Sequence, residues 1–240
     1  MLSLDLTLPT AAENVALDEA LLNSAEDDVS ATEVLRLWCP PTPIVVLGRS
    51  SKHDLEVNLD FCKSQDIPVI RRCSGGATIL TAENCLMYAV VLSYQANPTI
   101  RMLDVAHQFV MSKVQRAISQ CGVSTDFQGT CDLTIGNRKV SGNALRCKRN
   151  WLVYHGTLIC EGMDLELISK CLGAPKRQPE YRQGRSHADF LTHIPTQASD
   201  LKAALINVWQ CEGSLERWPE NETAALVKSK YTDDAWNFRI

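Results

Sequence analysis

Residues Leu86–Ser93 read Leu-Met-Tyr-Ala-Val-Val-Leu-Ser, a nearly continuous apolar run without a charge. A strand that shows no polar alternation is covered on both faces, so this one is expected at the centre of a sheet. The rest of the chain must then supply its neighbours and its covers.

The segments around it alternate between strand-like and helical patterns, but not in regular βαβ order. Thr10-Ala-Ala-Glu13 forms a capping box ahead of a helix through Val15, Leu17, Leu21 and Leu22. Pro40, Pro41 and Pro43 separate strand-like Val34–Trp38 from Ile44–Leu47. Asp60–Gln65 is expected as a short helix, and Pro68–Arg72 as a strand running into a glycine turn, with Ala77–Leu80 a further strand. Between Leu103 and Cys121, Val105, Phe109, Val110, Val114, Ala117 and Ile118 recur at helical spacing, with Gly122 as a stop. A β-rich region follows: Val123–Phe127, Leu133–Ile135, a Gly136-Asn137 turn, Lys139–Arg146 and Trp151–Cys160. Asp164–Leu172, Ser199–Trp209 and Glu222–Lys230 are helical in pattern. The fold class expected is α+β, a mixed or antiparallel sheet core with flanking helices, in one domain spanning residues 1–240.

Composition narrows the partners. A net charge of −4 argues against a dedicated nucleic-acid binder. The most basic stretch, Lys176 to Arg185, is local and suits an acidic protein partner. No apolar run reaches the roughly 20 residues of a membrane span, and the N-terminus lacks a signal-peptide pattern. Ten cysteines without a C-x-x-C pair, several inside apolar runs, fit free thiols in a reducing cytoplasm.

Three segments carry chemistry. Arg71-Arg72-Cys73-Ser74-Gly75-Gly76-Ala77-Thr78 places a glycine turn beside two planar, permanently charged donors, an arrangement that suits phosphate or carboxylate. The same residues would also serve as a plain hairpin with surface arginines. Walker A and Rossmann spacings are absent. In the second segment, Cys131-Asp132 precede Arg138-Lys139-Val140-Ser141-Gly142-Asn143-Ala144. A lysine there can neutralise charge developing on a reacting carboxylate and phosphate, although a lysine after a hairpin turn is commonly solvated. Asp132 offers a hard oxygen ligand suited to Mg²⁺. The third, His155-Gly156-Thr157, interrupts an apolar strand, where glycine marks a bulge or a close approach.

In order and spacing these segments, with Ala16-Leu17-Asp18-Glu19-Ala20-Leu21-Leu22 and the closing Lys230-Tyr231 to Trp236-Asn237, resemble the lipoate–protein ligase A family. That family belongs to a wider group with biotin–protein ligases and octanoyltransferases. The resemblance covers nearly the whole chain. It implies a biotin/lipoate ligase-like catalytic domain with an apolar tunnel for an acyl chain. It further implies that ATP and lipoate (or octanoate) form an acyl-AMP, and that a lysine of a lipoyl domain then takes the acyl group. Acceptors would be of 2-oxoacid dehydrogenase or glycine-cleavage type. By position, Arg72, Ser74 and the turn Gly75, Gly76, Ala77, Thr78, Ile79 and Leu80 would bind nucleotide and phosphate. Lys139 would contact acyl carboxylate and α-phosphate, with Asp132 near the metal. Ser141, Gly142, Asn143, Ala144, His155 and Gly156 would line the pocket.

Two departures stand out. Ala77 replaces the third glycine of the family's turn, and Thr81-Ala82 stand where a His-Asp pair is usual. The extra C-terminal domain of some ligases is also not found, so the protein either manages without it or receives it as a separate accessory subunit. A rival reading is an octanoyltransferase working from acyl carrier protein through a cysteine thioester, with Cys131 as nucleophile and Lys139 or Arg138 lowering its pKa. Another is a non-catalytic protein that binds the acyl chain or a lipoyl domain. Arg177, Arg182, Arg185, Tyr181 and His187 are expected to dock the acceptor or close over the adenylate.

Overall fold

The structure, a computed structural model, describes residues 1–28, 30–173 and 178–239. Within them the strands are β1 (Leu2–Asp5), β2 (Val34–Trp38), β3 (Ile44–Leu47), β4 (Val69–Arg71), β5 (Ile79–Thr81) and β6 (Cys85–Ser93). They continue as β7 (Asp126–Gln128), β8 (Asp132–Ile135), β9 (Arg138–Ser141), β10 (Asn143–Cys147) and β11 (Trp151–Ile159). The helices are α1 (Ala11–Asp27), α2 (His53–Glu56), α3 (Leu59–Ser64), α4 (Leu103–Gln120), α5 (Leu165–Cys171), α6 (His187–Phe190), α7 (Ala198–Val208), α8 (Glu220–Leu226) and α9 (Asp234–Asn237).

The apolar run falls in β6, which is buried along its whole length and sits mid-sheet in the order β1-β2-β6-β11-β10. Only β1 and β2 run parallel in this sheet. Strand periodicity explains the double burial. Leu86, Tyr88, Val90 and Leu92 join the cluster that includes Val110, Val114 and Leu205 of α4 and α7. On the other face Ala89 and Val91 meet Leu17, Leu21 and Leu22 of α1. Cys85 and Met87 instead face a second sheet, ordered β4-β3-β5. In that sheet β3 is parallel to β4 and antiparallel to β5. A third, antiparallel sheet of β7, β8 and β9 completes the mixed α+β architecture.

Local signals are visible where expected. The Thr10 side chain accepts from the Glu13 amide, and the Glu13 carboxylate takes the Thr10 amide, which starts α1. Gly136 at φ +57° begins the two-residue turn from β8 to β9, where only its position in the turn requires positive φ. Three elements differ from expectation. Lys139–Arg146 is not one strand: the chain leaves β9 at Gly142 and enters β10 in a different sheet. Glu222–Lys230 begins as α8 but loosens into a π-type turn over Val227–Tyr231. β1, which pairs with β2, is too short to stand out without its partner.

Candidate active site

The five-stranded sheet and the β4-β3-β5 sheet share a cavity of about 180 Å³. Val15, Trp38, Val46, Cys85, Met87 and Ile159 make an apolar wall. Arg72, Lys139, His155 and Arg182 supply basic groups, and Asp18 and Glu56 supply carboxylates.

Strand alternation splits the paired arginines. Arg71 faces away from the cavity and binds backbone carbonyls of Gly48, Ser51, Trp236, Asn237 and Arg239. Arg72 faces the cavity. Its Nε donates to Ser74 Oγ (3.0 Å), and its Nη groups donate to the carbonyls of Val46, Gly75 and Ala77. No carboxylate pairs with it among the described residues. Burial pushes its pKa down to about 10, so it remains a cation at neutral pH. A buried cation held only by dipoles is a standing attraction for an anion.

The turn after Arg72 is built for such a guest. Gly76 sits at φ +84°, while Ala77 keeps negative φ, so the lost third glycine imposes no backbone strain. Among the described residues no backbone carbonyl accepts from the amides of Gly75, Gly76 or Ala77. The next amide, that of Thr78, donates to Glu56 Oε2 (3.1 Å), as does the Thr78 hydroxyl (2.6 Å). Burial would raise the Glu56 carboxyl, yet these bonds hold it below its usual value. Gly48 lets the turn approach β3: a Cβ there would lie 1.9 Å from the Gly76 oxygen.

A polar chain runs inward from the turn. Ser74 Oγ lies 2.6 Å from His155 Nε2, His155 Nδ1 lies 2.8 Å from Asp18 Oδ2, and Asp18 Oδ1 lies 2.6 Å from the Arg36 guanidinium. The Asp18 carboxylate only accepts, so Nδ1 carries a proton, and in the neutral ring Nε2 accepts the Ser74 hydroxyl. Burial alone would raise the Asp18 carboxyl, but the Arg36 guanidinium and the His155 bond hold it below the carboxylate range. Asp18 and Arg36 were not singled out from sequence as working residues. The available signal was helical phase: Asp18 lies three and four residues from Val15, Leu21 and Leu22, on the core face of α1.

Across the cavity, Lys139 on β9 is three-quarters buried. Its Nζ lies 2.7 Å from Asp132 Oδ1, while Tyr181 donates to Asp132 Oδ2 (2.7 Å). A Cβ on Gly142 would meet the lysine tip at 3.0 Å, so glycine makes room for the side chain to fold over the strand break. Asn143 knots the start of β10. It accepts from the Tyr88 hydroxyl, and its amide reaches the Cys131 carbonyl (2.6 Å) and Ser141 Oγ (3.0 Å). Gly156 is required beside it, since a Cβ would lie 1.8 Å from Asn143 Oδ1.

Of the residues expected at the site, Arg72, Ala77, Thr78, Ile79, Leu80, Lys139, Gly142, Asn143, Ala144, His155 and Gly156 line this cavity. Ser74, Gly75, Gly76 and Ser141 are outside its lining. Asp132 also lies outside the lining, and both its oxygens are engaged. As arranged it is the counter-ion of Lys139 and the acceptor of the Tyr181 hydroxyl, and no group of three metal-ligating residues exists among the described residues. Cys131 lies off the cavity with Sγ donating to the Asn143 carbonyl (3.1 Å). Burial pushes its thiol up to about 11, Asp132 adds to this, and Lys139 only partly offsets it. The lowered pKa expected for a nucleophilic Cys131 is thus reversed, because partial burial outweighs Lys139, which is paired with Asp132.

The fold that holds this cavity is one shared with solved ligases. One, from a study of the bi-partite lipoate protein ligase and its E2 lipoyl domain of Thermoplasma acidophilum, matches with a TM-score of 0.83 at 19% identity, covering 99% of this chain and 95% of that one. A lipoate-protein ligase A bound with ATP matches at 0.79 and 20% identity, covering 99% and 98%. The model of the family described as lipoyl protein ligase A/B catalytic domain matches residues 10–206, and the chain belongs to that family of enzymes. Its relatives include "Putative lipoate-protein ligase A" of Aeropyrum pernix, 31% identical over 85% of this chain and 72% of the relative. An octanoyltransferase LipM of Carboxydothermus hydrogenoformans is 27% identical over 96% of both chains. The resemblance and the α+β class expected from sequence both hold.

Proposed function

We propose that this chain is an ATP-dependent lipoate–protein ligase, acting as one catalytic domain over residues 1–240. The carboxylate of lipoate or octanoate attacks the α-phosphorus of ATP, giving acyl-AMP and pyrophosphate. The ε-amine of a lipoyl-domain lysine then attacks the acyl carbonyl, an amide forms, and AMP leaves. The apolar wall around Trp38, Val46 and Met87 takes the alkyl chain. Lys139 exchanges Asp132 for the charge that builds between carboxylate and phosphate, and Arg72 with the free turn amides holds the phosphate. Any Mg²⁺ would arrive on the nucleotide phosphates, and Asp132 Oδ1, once Lys139 has exchanged it for substrate, would be the carboxylate oxygen open to it.

The observation that carries this reading over the transferase is the state of Cys131: outside the cavity, hydrogen-bonded to a carbonyl, and with its thiol held protonated. The transferase reading is favoured by the octanoyltransferase relative that spans nearly all of both chains. One assay separates them, with purified protein, an apo lipoyl domain and free lipoate, with and without ATP, against octanoyl-acyl carrier protein as donor. Pyrophosphate release needing both lipoate and ATP, retained by Cys131→Ser, is the expected result. Transfer from the carrier protein without ATP, abolished by Cys131→Ser, would overturn it. No turnover with either donor would leave a binding protein. Free thiols at all ten cysteines fit a reducing cytoplasm. Among the described residues no helix is long and apolar enough to cross a membrane.

A further inference from the structure

A second basic feature faces the cavity from the segment beyond Pro179, and neither Lys139 nor Arg72 accounts for it. Gln183 (φ +51°) and Gly184 (φ +70°) form a tight turn closed by the Arg185 amide on the Arg182 carbonyl (3.1 Å). The two flanking arginines clamp that turn reciprocally. Arg182 Nε donates to the Arg185 carbonyl and Arg185 Nε donates to the Arg182 carbonyl, both at 3.1 Å. Both guanidiniums also lie over the Phe190 ring, at 4.8 and 5.3 Å from its centroid. Arg182 is 4% exposed and lines the cavity. Among the described residues no carboxylate pairs with either arginine, and no hydrogen bond engages the Nη groups of Arg182.

Two like charges on one ring, one of them taken out of water, repel each other and cost desolvation unless an anion joins them. The field of Arg182 is felt nearby. His187, also at the cavity, is driven down to about 4 by burial, then by Arg182 and Lys139. The cations therefore act on one region. Their number exceeds what the proposed adenylate needs, because acyl-AMP carries a single negative charge while ATP carries about four.

We infer that Arg182 and Arg185 form a preorganised clip for the β,γ-diphosphate of the nucleotide, and so for the pyrophosphate that departs. Resting on the ligase reading, this assigns the excess charge to the first half-reaction alone. Fixing each Nε to backbone, and Arg185 Nη2 to the Tyr181 carbonyl (2.7 Å), removes side-chain freedom in advance and leaves both outer nitrogens of Arg182 and Nη1 of Arg185 for phosphate oxygens. The clip loses its ligand once the adenylate has formed.

Titration of inorganic pyrophosphate into wild type and Arg182→Gln/Arg185→Gln, followed calorimetrically, tests the clip. It is paired with the KM for ATP in pyrophosphate release and with the rate of acceptor modification from presynthesised octanoyl-AMP. Loss of two charge-assisted contacts should weaken pyrophosphate binding and raise the ATP KM by roughly ten- to hundredfold. The rate from octanoyl-AMP should change less than about twofold on the same scale, which also shows that the variant is folded. Should the double variant unfold, Arg185→Gln alone, at a half-buried position, carries the same comparison. Unchanged pyrophosphate binding and ATP KM overturn the clip, and so does a loss confined to the acceptor step. Failure of the ligase reading shows differently: wild type then releases no pyrophosphate from ATP, while direct pyrophosphate titration still reports on the clip.

Discussion

At the scale of single residues, the site is governed by which charges have partners. Lys139 is paired and Arg72 is not, so the first must be released by substrate while the second waits for it. Lys139→Met should lower pyrophosphate release by about a hundredfold or more, read in single turnover with lipoate and ATP. Cys131→Ser should leave that rate nearly unchanged, and iodoacetamide should label Cys131 appreciably only as pH approaches 11. His187 gives a pH signature. Its folded pKa of about 4 lies below the ordinary 6.5, so between these values the unfolded chain binds the extra proton. Stability therefore rises with pH through that window and is lost as pH falls from 6.5 toward 4. His187→Asn should flatten that limb in urea melts recorded from pH 4 to 7.

Among elements, glycines and one buried ion pair decide how strands meet the cavity. Gly48 admits the Gly76 carbonyl and Gly156 admits the Asn143 side chain, at distances no Cβ tolerates. Each Gly→Ala substitution should cost about 1–3 kcal/mol by forced overpacking, measured by urea denaturation, with Gly156→Ala also displacing β10. Arg36 on β2 is fully buried against Asp18 on α1. Arg36→Met would strand the carboxylate and the His155 that leans on it, at about 3–5 kcal/mol. The helical phase of Asp18 and the apolar setting of Arg36 were visible in sequence. That they meet each other was not, because 18 residues of chain separate them.

For the molecule as a whole, Arg71 ties the loop after β3 to residues 236–239. It bonds carbonyls of Gly48 and Ser51 on one side and of Trp236, Asn237 and Arg239 on the other, while Trp236 Nε1 donates back to its carbonyl (2.8 Å). Removing residues 236–240 would strip a buried cation of half its acceptors. The expected loss is about 3 kcal/mol or more, seen as a lower urea midpoint, together with a weaker hold on nucleotide because Arg72 is the next residue. Of the Lys176 to Arg185 stretch, Arg182 turns inward to the cavity, and Lys176 and Arg177 lie outside the described residues.

What the order of amino acids determined by itself was everything carried by short-range pattern. The central placing of β6 followed from its unbroken apolarity, α1 from its capping box, the β8–β9 turn from Gly136-Asn137, and the family from four ordered motifs. Tertiary structure alone decided what depends on pairing across the chain. It turned Arg71 away from the cavity and Arg72 into it, gave Lys139 to Asp132, set the Cys131 thiol on the Asn143 carbonyl, and brought Arg182 to the cavity that Arg72 faces. Periodicity is written in neighbours a few residues apart, whereas the partner and burial of a charge are set by residues that meet only when the sheets have packed.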